Sequence, residues 1–149
     1  MWYRIFGSND TEPSPAAVLE HLSGLGVAVS GKFHGEGGDW FGAELLVAGK
    51  VPLGLERFLA SEEGIRAELN SWAAWLETCA PEADQARLME HMIQARQLFT
   101  VQRPDDAEEA GPLCVALCQY LAWATDGTYQ IDGRGLFAAD GTLLAEEKE

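Results

Sequence analysis

Two cysteines stand one helical turn apart in a strongly apolar segment and could form a metal or redox pair. Cys114 and Cys118 lie in residues 113–124, where Gln119 is the one notable polar side chain. Residues four apart on a helix are neighbours, so the two thiols would face the same side. Zinc needs four ligands, however, and no second Cys or His pair accompanies this one. We therefore interpret both as buried helix residues and predict no metal or other cofactor, and a redox role stays open.

A second candidate site surrounds a glycine-rich segment. His34 directly precedes Gly-Glu-Gly-Gly-Asp at 35–39, which brings it near Glu36 and Asp39. An imidazole beside two carboxylates could hold a metal or transfer a proton. The same composition is typical of a solvated hairpin tip, which we expect here. The three side chains are retained as candidate residues for binding a ligand or partner.

Other acidic motifs do not indicate catalysis. Asp-Gly occurs at 126–127, 132–133 and 140–141, which is too widely spaced for a calcium loop and typical of tight turns. No nucleophile elbow, phosphate-binding glycine loop or zinc-protease helix is present. The sequence gives no catalytic residue, so enzymatic activity stays open and a non-catalytic role is favoured.

Two tryptophans are candidates for a binding surface. Trp75 and Trp123 each lie at the edge of the apolar stripe of a predicted helix. Their rings could line a groove or an interface, where tryptophan is enriched, or they could pack in the core.

The charge balance restricts the partners. Asp and Glu number 24 against 10 Lys and Arg, a net charge of −14, and the basic residues are scattered singly. Nucleic acid and anionic membranes require clustered cations, so neither is expected as a partner. A basic protein would be attracted. Three cysteines without a disulfide-like framework, and no signal peptide or long apolar run, predict a cytoplasmic location.

Apolar periodicity predicts the elements that position these residues. Strands are predicted at 2–6, 27–33, 40–47, 51–59, 97–102, 129–131, 136–138 and 142–144. Helices are predicted after Ser14, after Ser61, at 83–93 and at 113–124. The best helix places Ile65, Leu69, Trp72, Leu76 and Cys79 on one stripe.

These elements predict a single α+β domain over 1–149, with a mainly antiparallel sheet and helices packed on it. A strand, a helix and a meander occur at 2–59 and again at 97–144, which suggests two related β-α-β-β halves. We also expect 146–149 to fray.

Two stretches of the sequence resemble a small, uncharacterised bacterial protein family. They are Leu-Asn-Ser-Trp-Ala-Ala-Trp-Leu-Glu at 69–77 and the segment at 124–137. The resemblance implies a bacterial origin and extends to the whole chain, but it implies no activity and no site residues.

Two hypotheses of function remain from the sequence. The first is a binding or regulatory protein, monomeric or homodimeric, of which an immunity-type protein that neutralises a basic toxin is an example by analogy. The second is an enzyme or small-molecule-binding protein with a pocket between helices and sheet.

Overall fold

The described residues form one sheet of eight strands, in which each pair of neighbouring strands is antiparallel. The computed structural model describes residues 1–36 and 38–148. The strands are β1 (Trp2–Gly7), β2 (Val29–Glu36), β3 (Asp39–Val47), β4 (Val51–Leu59), β5 (Gln97–Gln102), β6 (Thr128–Ile131), β7 (Gly135–Ala138) and β8 (Leu143–Glu146). Their order is β2-β3-β4-β5-β1-β6-β7-β8.

Four helices cover the two faces of this sheet. They are α1 (Pro15–Ser23), α2 (Ile65–Cys79), α3 (Glu82–Ile93) and α4 (Gly111–Ala124). Alternate residues of a strand point to opposite faces. Ile5 of β1 accordingly packs in one core with α1 and α4, and the next residue, Phe6, packs in a second core with α2 and α3. This architecture confirms the predicted α+β class.

The predicted apolar stripe of α2 is confirmed, but its predicted start is not. Leu69, Leu76 and Cys79 are buried against the second core. Ser61, expected as the cap, lies in a turn, and the helix begins at Ile65 after Gly64. Gly64 has a φ of 85°, a left-handed conformation that glycine adopts without strain, and it ends that turn.

Helix α1 begins as predicted, but it ends at Ser23, two residues before the end of its predicted apolar face of Val18, Leu19, Leu22 and Leu25. The Ser14 side chain accepts a hydrogen bond from the Ala17 N–H at 3.1 Å. Gly24 caps the other end. Leu25, expected on the buried face, therefore lies beyond the helix and is 49% exposed.

The repeated element order does not extend to the sheet topology. Strands β1 and β5 pair at the centre. The meander after β1 joins the centre through its last strand, β4, whereas the meander after β5 joins through its first strand, β6. The two halves thus share an order of elements and one sheet, but not the same strand connections.

Two sequence expectations fall partly outside the described residues. The hairpin tip at 35–39 includes Gly37, and the charged tail ends at Glu149. Glu146, expected to fray, is the last residue of β8. None of the helices in the described part of the chain has the length and apolarity that crossing a membrane requires.

Candidate functional site

The outward side of α4 carries an uncharged stripe that ends in an exposed tryptophan. Pro112, Ala116, Tyr120 and Trp123 follow one another at spacings of four, four and three, which places them on one side of a helix. The opposite side is buried in the first core. The Trp123 side chain is 72% exposed, the largest value among the exposed bulky apolar residues of the described chain.

An aromatic contact joins this stripe to α1. The His21 ring stacks on Tyr120 with ring centroids 4.6 Å apart, and Tyr120 lies 6.2 Å from Trp123. Tyr120 also packs against the first core, which fixes the middle ring of the three. We call His21, Tyr120, Trp123 and the flanking Ala116 the aromatic face.

The layer formed by α1 and α4 carries negative charge only. Residues 5–31 and 104–133 contain neither Lys nor Arg. The exposed acids of these two segments include Glu20 on α1, Glu108 and Glu109 directly before α4, and Asp126 directly after it. Three arginines from other segments lie on this side of the sheet. Arg57 and Arg103 are buried, Arg57 in an ion pair with Glu12 and Arg103 donating to the Tyr3 hydroxyl, whereas Arg134 is exposed and stacks on Phe137 at 5.2 Å. The accessible charge that α1, α4 and their flanking residues themselves contribute is therefore anionic.

Trp75, the other tryptophan candidate, lies on the opposite side of the sheet. It is half-buried and packs edge-on against Trp72, with centroids 5.2 Å apart. Since α2 and α4 cover opposite faces, Trp75 and Trp123 do not line a common groove.

The histidine and carboxylates near the glycine-rich segment are exposed. The His34 side chain is 57% exposed, and its Nε2 lies 4.0 Å from Glu44 Oε2. Glu36 pairs across the strands with Asp39, and both are exposed. Among the described residues there is no group of three His, Cys, Asp or Glu side chains that could hold a metal ion. The structure thus places the trio at a surface hairpin, outside both cavities described below.

The cysteines are enclosed in apolar atoms. Cys114 and Cys118 are fully buried in the first core, and both are free thiols. Burial raises the pKa of Cys114 to about 11 and raises that of Cys118 well above its usual value. A protonated thiol is a poor nucleophile, and burial in a helix that faces the core is typical of cysteines that serve as core packing.

Arg4 joins helix α2 to the segment at the end of β6. Its guanidinium lies 4.7 Å from the centroid of Trp72 on α2. The same group donates to Gln130 Oε1 at 2.9 Å and to Asp132 Oδ1 at 2.6 Å. These contacts pair the cation with a carboxylate and an aromatic ring, which indicates a structural link between α2 and β6.

Sequence reasoning missed a polar cavity of about 770 Å³ at one end of the sheet. Its polar lining includes Ser8, Arg66, His91 and Arg96. These residues come from four separate segments, so no local motif could indicate them. Only the pairing of β5 with β1 and β4 brings these segments together.

A second cavity, of about 710 Å³, is a shallow depression on the face of β2–β5 that no helix covers. Lys32, Glu44, Leu46 and Gln102 line it together with neighbouring backbone. One cation beside one anion, with no buried polar group, does not define a ligand of a particular chemistry.

Comparison with known proteins assigns no function to this chain, so the surfaces described above are the observations from which a function is inferred. No family model, no curated protein and no solved structure matches this chain.

Proposed function

We propose that this chain is a non-catalytic binding protein whose aromatic face docks a basic segment of another protein. The observation that carries the proposal is Trp123, which is 72% exposed in the last turn of α4, in a helical layer whose two helices contain neither Lys nor Arg. Tryptophan is strongly enriched among the residues that dominate binding energy at interfaces.

The charge pattern supports a cationic partner over a second copy of the same chain. A protein of net charge −14 repels its own copies, whereas Glu20, Glu108 and Asp126 would attract Lys and Arg side chains. A partner arginine can also stack on the exposed indole of Trp123. A basic toxin held by an immunity-type protein is one partner of this kind.

The cysteines support the location that we propose for this interaction, the bacterial cytoplasm. Cys79, Cys114 and Cys118 are all free thiols, as is usual in a reducing compartment.

The test is quantitative capture of proteins from an extract of the native cells, with the purified chain as bait. Wild type and Trp123→Ala are compared at low and at physiological ionic strength. Leu143→Ala is the matched control, because Leu143 is 48% exposed and lies on β8 at the far edge of the sheet. We expect a basic protein that is retained by wild type and Leu143→Ala, lost with Trp123→Ala and weakened by salt.

The captured protein is then purified and its affinity measured directly against two charge variants. The double variant Glu108→Gln/Glu109→Gln removes two exposed acids directly before α4, the helix that carries Tyr120 and Trp123. The control Glu62→Ala/Glu63→Gln removes two acids from the turn before α2. The first should slow association several-fold and the second should not. Capture that does not depend on Trp123, or a partner without basic character, would refute the proposal.

A further inference from the structure

The polar cavity lies at one end of the sheet, beside the ends of the central strands β1, β4 and β5. Ser8 follows β1, Ser61 follows β4, Arg66 lies in the first turn of α2, and Arg96 precedes β5. His91 reaches the cavity from the last turn of α3. Its volume of about 770 Å³ is within the range of small-molecule sites.

One guanidinium of the cavity is held in place by the backbone. Arg66 donates through Nη1 to the Ile93 carbonyl and through Nη2 to the Ala95 carbonyl. These acceptors are backbone carbonyls at the end of α3 and just after it, and none of the ion pairs formed by the described residues includes Arg66. The Arg66 cation is therefore oriented but uncompensated.

The second guanidinium has no partner in the described part of the chain. The Arg96 backbone N–H donates to the Gly7 carbonyl, which fixes the main chain, but its side chain has neither an ion pair nor a hydrogen bond there. Asp10 is the one acidic residue in the lining. Two arginines against one acid make the lining cationic, in a chain whose net charge is −14.

Hydroxyl and imidazole groups complete the lining. His91 Nδ1 lies 3.3 Å from Ser8 Oγ, and Nε2 lies 3.2 Å from Thr128 Oγ1. Both ring nitrogens thus contact hydroxyls. A catalytic triad needs a carboxylate that orients the imidazole, and neither of these contacts provides one. The hydroxyl of Ser8 can donate to a ligand oxygen while His91 holds its side chain in place.

From this geometry we propose that the cavity binds the phosphate or carboxylate group of a small molecule between Arg66 and Arg96. Guanidinium forks match the geometry of both oxyanions. The site is separate from the aromatic face, which lies on helices that cover the other side of the sheet.

The test is titration of the isotopically labelled chain with inorganic phosphate and, in a second arm, with acetate, at constant ionic strength. Saturable changes in the amide resonances of Ser8, Ser61 and Arg96 are expected in at least one arm. The arm that saturates identifies the chemical class of the ligand group. Arg96→Gln should weaken binding at least about tenfold, because a charge-assisted hydrogen bond is lost.

Arg134→Gln is the matched control, since Arg134 is an exposed arginine after β6 that stacks on Phe137 at 5.2 Å and does not line the cavity. It should bind the anion as wild type does, and so should Trp123→Ala, which separates this inference from the proposed function. Linear, unsaturable shifts in both arms, or equal affinity in Arg96→Gln and wild type, would overturn it.

Discussion

Arg57 Nη1 donates to Glu12 Oε2 at 3.2 Å in a place where the Arg57 side chain is only 4% exposed. The Arg57 Nε also donates to Gln97 Oε1 at 2.8 Å. A charge can be buried only when it is paired and hydrogen-bonded. The ion pair therefore anchors the segment before α1 to strands β4 and β5, and with it the layer that carries the aromatic face.

Replacing one partner of this pair should destabilise the fold. Glu12→Gln keeps the side-chain shape but leaves the buried Arg57 without its counter-charge, which should lower the free energy of unfolding by roughly 3 kcal/mol. Chemical denaturation measures the loss. Glu20→Gln removes an exposed acid from the same region as a control, and an equal effect of both substitutions would contradict this role of the pair.

A glycine after α4 is required by close backbone approach. A Cβ on Gly127 would lie 2.1 Å from the Phe6 carbonyl oxygen, closer than atoms can pack. Gly127→Ala should therefore push β6 away from β1 and cost about 3 kcal/mol or more of stability.

Gly42 provides the comparison for Gly127. Gly42 lies in the sheet, on β3, and the nearest atom to its added Cβ would be the Leu55 carbonyl oxygen, at 3.9 Å. Gly42→Ala should be neutral or slightly stabilising in thermal unfolding. If the two substitutions lowered the melting temperature equally, the clash with Phe6 would not be the cause.

The sequence predicted most elements because their signals are local. The stripe from Ile65 to Cys79 requires only helical periodicity, and Ser14 followed by Pro15 is a complete helix start. The start of α2 was predicted wrongly at Ser61 because a serine before an apolar stripe has the same local pattern as a cap. The helix begins after Gly64 instead, and no residue near Gly64 in the sequence indicates that this glycine adopts the left-handed conformation.

The candidate surfaces were less predictable because they depend on strand order. Trp123 was a candidate from its position at the edge of a helix stripe. That the helical layer around it lacks cations could be recognised only once α1 and α4 were known to cover the same face. The polar cavity requires Ser8 to meet His91, 83 residues away, and no periodicity carries that information.

The buried cysteines should be unreactive until the protein unfolds. The pKa of Cys114 is raised from 9.0 to about 11, which lowers the thiolate fraction at neutral pH about a hundredfold before burial restricts access. Labelling with a thiol reagent should therefore follow global unfolding in denaturant. Ala116→Cys places a thiol two residues away on the outward stripe and should react quickly in the native state. Fast native labelling at Cys114 or Cys118, distinguished from Cys79 by peptide mapping, would show that α4 opens locally.

His91 should make stability depend on pH as the pH falls below about 6.5. Burial lowers the pKa of His91 below its ordinary value of 6.5, with Asp126 acting in the opposite direction. As the pH falls through this range, the unfolded chain takes up a proton that the folded His91 resists, so the free energy of unfolding decreases until the lowered pKa is reached. His91→Asn should reduce this decrease, as measured by denaturant titrations at several pH values. His34→Asn, which changes an exposed histidine, should leave it intact. A pH dependence that persists unchanged in His91→Asn would mean that other groups cause it and that the ring between Ser8 and Thr128 is accessible to water.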